Sequence, residues 1–144
     1  MAELTPRSVI ATALMNKVLE DTTLKAAISD SLYPDGRAFM LAAPDDAVLP
    51  YLKVEWVYGG EPPKSPRREF DQLWIVCVSD FDQYTATELD RYVREKLVGA
   101  SLTFAEGWEA WDGLTVLNEY EKVMLLQGNQ IWSIGAYYRV RGVK

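Results

Sequence analysis

The sequence contains no histidine, so it lacks the side chain that most often shuttles protons near neutral pH and most often ligates zinc. It has one cysteine, Cys77, so no disulfide can close within the chain and no thiolate cluster can hold a metal. Cys77 lies inside the run Leu73-Trp74-Ile75-Val76-Cys77-Val78, where a thiol is expected to pack as a small core hydrophobe. No apolar run approaches the roughly 20 residues of a membrane helix, and Met1 to Arg7 has neither the charged start nor the apolar stretch of a secretory signal. There is no Gly-x-x-x-x-Gly-Lys, no Gly-x-Gly-x-x-Gly and no Gly-x-Ser-x-Gly. The usual phosphate loop, dinucleotide turn and nucleophile elbow are therefore missing. Basic residues are in the minority, 15 Lys and Arg against 21 Asp and Glu for a formal charge of -6, which works against broad phosphate binding. From these absences we expect no catalytic residues, no cofactor and no metal.

What is present is ordinary globular material: 144 residues, of which 49% are hydrophobic, enough for one core and a single domain over residues 1–144. Thr5-Pro6 reads as a helix start, and Ile10, Leu14 and Val18 form its apolar face. A second short helix carries Leu24 and Ile28, capped by Asp21 or Thr22, and Tyr33-Pro34-Asp35-Gly36 closes it as a turn. Arg37 to Pro50 reads as irregular or edge structure. From Tyr51 to Tyr58 apolar residues alternate, with Leu52, Val54, Trp56 and Tyr58 on one face. Phe70 to Ser79 is apolar on both faces at its centre, as in a central strand or an interface strand.

Thr85-Ala86-Thr87-Glu88 has the spacing of a capping box, Tyr84 and Leu89 that of a hydrophobic staple, and Gly99 that of a left-handed stop. A helix over residues 85–98 follows, its stripe being Leu89, Val93 and Leu97. Strands are expected at Leu114 to Leu125 and Ile131 to Val140, joined through Gln127-Gly128-Asn129 and completing an antiparallel meander. The fold class is α+β: N-terminal helices and one long helix on a mostly antiparallel sheet of about four or five strands, with a long hairpin arm.

The carboxylate pairs Asp45-Asp46 and Asp80 with Asp82 fit loops and a helix start better than a hydrolase dyad. Two features fit a monomer core poorly. Between Gly59 and Glu69 lie three prolines and no large apolar residue, with Lys64, Arg67 and Arg68 adding positive charge; a stiff basic arm of this kind suits an acidic partner surface. Trp108 and Trp111 stand among acids and glycines in Glu106 to Gly113, as an interface patch or as a plug for the sheet's open end. With Tyr58 at the arm's root, the candidate partner-contacting residues are Tyr58, Lys64, Arg67, Arg68, Trp108 and Trp111.

The order of these elements resembles the tail terminator, or tail-completion, proteins of long-tailed bacteriophages. The likeness rests on the N-terminal helical pair, the proline-bearing approach Leu49-Pro50-Tyr51-Leu52-Lys53-Val54, the charged arm, and Leu73 to Asp82 leading into Thr85 to Gly99. The Trp108 to Gly113 linker departs from it. The resemblance implies a subunit of a homohexameric ring that caps the tail tube and meets the head-completion or stopper proteins. DNA would pass through the lumen without specific binding. It also implies a location in the virion tail or neck after synthesis in the host cytoplasm, with no membrane partner. The competing reading is a small-molecule or peptide-binding α+β module. A third is an enzyme using carboxylates alone.

Overall fold

A computed structural model describes residues 6–40, 43–44, 47–59, 69–104, 107–111, 114–126 and 128–143. These form three helices and a mixed six-stranded sheet, an α+β fold. Helix α1 spans Pro6–Val18 and α2 Thr22–Ile28, then strands β1 at Ala38–Met40, β2 at Tyr51–Tyr58 and β3 at Glu69–Asp80. Helix α3 covers Gln83–Leu97, followed by β4 at Glu109–Ala110, β5 at Thr115–Leu126 and β6 at Asn129–Val143. Thr5 and the arm residues 60–68, including Lys64, Arg67 and Arg68, lie outside the described residues.

The strand order is β1-β2-β3-β6, with β4 and β5 both paired to the far side of β6. All pairs are antiparallel except β1 with β2. This corrects the expected meander, because β6 lies between β3 and β5. The physical reason is composition. Strand β6 offers Ile131, Ser133, Gly135 and Ala136, which pack under neighbours on both faces, whereas β5 carries Asn118, Glu119, Glu121 and Lys122 and belongs at an edge. Two short strands, β1 and β4, extend the sheet beyond the four or five expected. Neither has a period long enough to read.

Three elements cover one face of the sheet. The core joins Val9, Ile10, Leu14 and Val18 of α1, Leu24 and Ile28 of α2, and Leu89, Val93 and Leu97 of α3 to Leu52, Val54, Trp74, Val76, Val78, Ala136, Tyr138 and Val140. The register accounts for this set: Leu52 opposes Val78, Val54 opposes Val76 and Trp74 opposes Tyr138, so these side chains share a face. Each fully buried Leu, Ile or Val here contributes roughly 1.5–3 kcal/mol. Arg37, almost fully buried, ties α2 to the start of β2: its guanidinium donates to Asp30 Oδ2 at 2.8 Å, Pro50 O at 3.0 Å and Ala27 O at 3.4 Å.

The cap of α3 differs from the expected box. Asp82 accepts from the backbone N–H of Tyr84 and Thr85 and from the Thr85 hydroxyl at 2.7 Å, so the helix begins at Gln83. Asp82, three residues earlier, takes the Thr85 amide that Glu88 was expected to satisfy, together with that of Tyr84. Gly99 does sit just past the helix with φ of 72°, the left-handed conformation that glycine adopts at no steric cost. For α2, Asp21 is the cap, accepting from Leu24 N at 2.9 Å. Among the described residues no helix is long and apolar enough to cross a membrane.

Candidate interaction surfaces

Among the described residues no helix lies against the second face of the sheet. Leu73, Ile75, Cys77 and Ser79 of β3 and Ile131 and Ser133 of β6 point there, all buried and all outside the helix-side cluster. Side chains of the sheet itself meet on this face. Tyr120 and Tyr137 meet edge to face at 5.8 Å, and Lys53 pairs with Glu55 at 3.5 Å. Burial pushes the Tyr120 phenol up to about 12, with Cys77 and Glu55 adding to the effect. Burial likewise pushes the Cys77 thiol up to about 12, so it stays protonated and packs as the small hydrophobe that its sequence context suggests. The hydroxyls of Ser79 and Ser133 satisfy each other at 2.7 Å. A strand apolar on both faces is thus central, as its composition implies, with helices on one side only.

At the root of the arm, Tyr58 stands 61% exposed. It lines a cleft of about 230 Å³ with Asp71, Leu73, Leu117 and Arg139. Arg139 donates to Asp71 Oδ1 at 2.9 Å and holds that carboxyl below its ordinary range.

The two tryptophans part company. Trp108 is buried, its ring 5.5 Å from Phe70, which meets Phe104 at 5.6 Å; it plugs the end of the sheet, and its side chain faces the core instead of the surface. Trp111 keeps 42% of its surface exposed, and its backbone N–H donates to Arg141 O at 3.0 Å. Glycine at 142 lets β4 and Phe70 pack this close to β6, because a β-carbon there would meet the Glu109 carbonyl oxygen and fall 2.6 Å from the Phe70 ring.

At the opposite end, the β5–β6 hairpin runs past β3, whose last pair is Asp80 with Trp132. Val123, level with that last pair, and Met124 and Leu125 beyond it are exposed, and so are Phe81 and Tyr84 at the start of α3. Phe81 lines a shallow depression with Gly128, Asn129 and Gln130. Strand β5 pairs with β6 alone among the described strands, leaving its other edge free.

Between α3 and β5 lies an open groove of about 800 Å³ lined by Gln83, Asp90, Arg94, Glu119, Glu121 and Ile134, among others. Asp90 Oδ2 accepts from Arg94 Nε at 2.7 Å, and Arg94 also donates to Gly135 O at 3.0 Å and Glu119 Oε1 at 3.3 Å. The side chain of Asp90 is only 5% exposed, and burial raises its carboxyl to about 6 against the pull of Arg94. Among the described residues its Oδ1 has no hydrogen-bond partner, and neither has the buried Tyr138 hydroxyl. Sequence reasoning passed over this site. The signal that could have found it was Asp90 inside the stripe of Leu89, Val93 and Leu97 with Arg94 four residues on, a charge pair on an apolar face.

Of the acids singled out from sequence, only Asp80 and Asp82 are described. Asp45 and Asp46 lie outside the described residues. Asp82 caps α3, held low by the Thr85 hydroxyl, while burial raises Asp80. Among the described residues no group of three or more His, Cys, Asp or Glu could hold a metal ion.

No protein-family model matches the chain, and no curated protein does. Among solved structures, a chain from the virion of a native gene transfer agent particle superposes with a TM-score of 0.66 at 16% identity. The match covers 96% of this chain and 97% of that one. The two share a fold.

Proposed function

We propose that the protein is a structural virion component of the tail terminator kind. It acts as a single domain that joins copies of itself into a ring, a hexamer, which caps a tail tube and meets the head-completion proteins without catalysis or cofactor. The observation that carries this reading is the likeness, over nearly the whole of both chains, to a component of a gene transfer agent virion. Three surfaces support it: a sheet face without helices, a free edge on β5, and an apolar end formed by Phe81, Tyr84, Met124 and Leu125. Such surfaces are what a closed ring of identical subunits uses. Tyr58, Trp111 and the arm residues Lys64, Arg67 and Arg68 make the contacts, while Trp108 holds the linker from inside. The net charge of -6 lets DNA pass through the lumen without adhering.

Native mass measurement of the purified chain tests the ring. A species of about six times the 16.3 kDa subunit is expected, alone or with tube protein, as cyclic closure of a head-to-tail contact requires. A strict monomer under both conditions overturns the reading. The α3–β5 groove favours one second reading, a binding module for a cationic peptide or small molecule; a monomer holding in that groove a ligand other than this chain's own arm would establish it instead.

A further inference from the structure

We propose that the α3–β5 groove is the receptor for the basic arm of a second copy of this chain, the contact that propagates the ring. The inference rests on the ring reading for the second copy, and on the groove's own chemistry for the site.

The groove carries more carboxylates than cations to pair with them. Asp90 lies at the floor with its Oδ2 taken by Arg94, and its buried Oδ1 has no partner among the described residues, so its negative charge is only partly compensated. Among the described residues Glu121 has the Gln83 amide alone, at a long 3.4 Å. Of the two cations lining the groove, Arg94 is taken up by Asp90, Glu119 and Gly135, and Arg91 pairs outward with Glu88 at 3.0 Å. Asp90, Glu95, Glu119 and Glu121 therefore outnumber Arg91 and Arg94 along its walls. An occupant must bring long cationic side chains on a narrow backbone.

Residues 60–68 have that composition: Lys64, Arg67 and Arg68 against Glu61, with Pro62, Pro63 and Pro66 limiting the freedom that docking would remove. Their own chain's groove is out of reach. Glu121 pairs with Ile134, which pairs with Val78; that point is about 30 Å along β3 from the arm's root at Glu69, at about 3.3 Å per residue. A segment of this length that goes out and returns extends about 15 Å. A head-to-tail neighbour brings arm and groove together, and the contact is heterologous, the kind that closes into a ring.

Charge reversal in the full-length protein tests this. Arg67→Glu with Arg68→Glu, and separately Glu119→Arg with Glu121→Arg, are each expected to weaken assembly at least tenfold by native mass spectrometry. Glu119 and Glu121 are exposed, and Arg67 and Arg68 lie outside the described residues; circular dichroism is expected to show the fold retained in both variants. Combining the four changes in one chain restores the ring. A ring that persists in both reversed pairs overturns this inference and leaves the ring reading intact. A groove reversal that blocks joining to tube protein while leaving the ring whole overturns it equally. Should the wild-type chain stay monomeric, the ring reading fails, and a synthetic peptide of residues 59–69 then tests the groove directly. Saturable binding that falls tenfold in Glu119→Arg/Glu121→Arg upholds the site; no binding, or equal binding, overturns it.

Discussion

Gly135 of β6 lies directly opposite Cys77 of β3, and so close that a β-carbon on it would fall 2.6 Å from the Cys77 Cα, with the Val76 carbonyl oxygen nearer still. Both neighbours are backbone and cannot step aside as a flexible side chain would. Gly135→Ala is expected to cost about 1–3 kcal/mol through overpacking, seen as a lower denaturation midpoint. Unchanged stability would show that the strands can separate locally.

Asp90 gives a pH dependence of definite sign. Burial raises its carboxyl from the ordinary 3.8 to about 6, with Arg94 and Glu119 facing it from α3 and β5 and Tyr138 from β6. Between those values the folded chain keeps a proton that the unfolded chain releases, so this group's contribution makes stability fall as pH rises from about 4 to above 6. The full effect is about 3 kcal/mol at most. Denaturation of the wild type and Asp90→Asn across that window is expected to give converging curves at low pH, with the wild type losing ground as pH rises; parallel curves would contradict the burial argument.

The Ser79–Ser133 bond lies in the interior of the helix-free face. Ser79→Ala leaves the other hydroxyl without a partner and is expected to cost about 1–2 kcal/mol. The double change to alanine is expected to cost less than the sum of the single ones. A double-mutant cycle measures the difference.

Arg37 links α2 to β2 through three acceptors. Arg37→Ala is expected to destabilise by about 2–3 kcal/mol, because Asp30 and two carbonyls lose a charged donor together. Arg37→Lys recovers only part of it, since an ammonium cannot span the same fork of acceptors. Chemical denaturation of the two variants distinguishes these outcomes.

The long elements were legible where one period ran without interruption. Leu52, Val54 and Trp56 announce β2, and Leu89, Val93 and Leu97 announce α3, because a single face is buried in each. Strand order was not legible. Nothing local tells Leu114 to Leu125 that it will pair outside β6 instead of against β3; that follows from which strand can bury both faces. Strand β4 exists only because Val143 and Gly142 offer it a partner, and between interface patch and plug it is the packing of Trp108 on Phe70, beside Phe104, that decides for the plug. The groove was hidden for the same reason: Asp90 and Glu119 lie 29 positions apart in sequence and meet only through the folding of α3 over β6.

The buried thiol at Cys77 has one further consequence. With burial pushing its pKa up to about 12 and no exposed surface, the thiol is essentially undissociated at neutral pH. Maleimides and disulfide reagents should therefore leave the native chain untouched. A cysteine introduced at Trp111 or Leu125 would be the one site to take a fluorophore or spin label, so each surface can carry a reporter of its own without removing any natural residue but the one replaced.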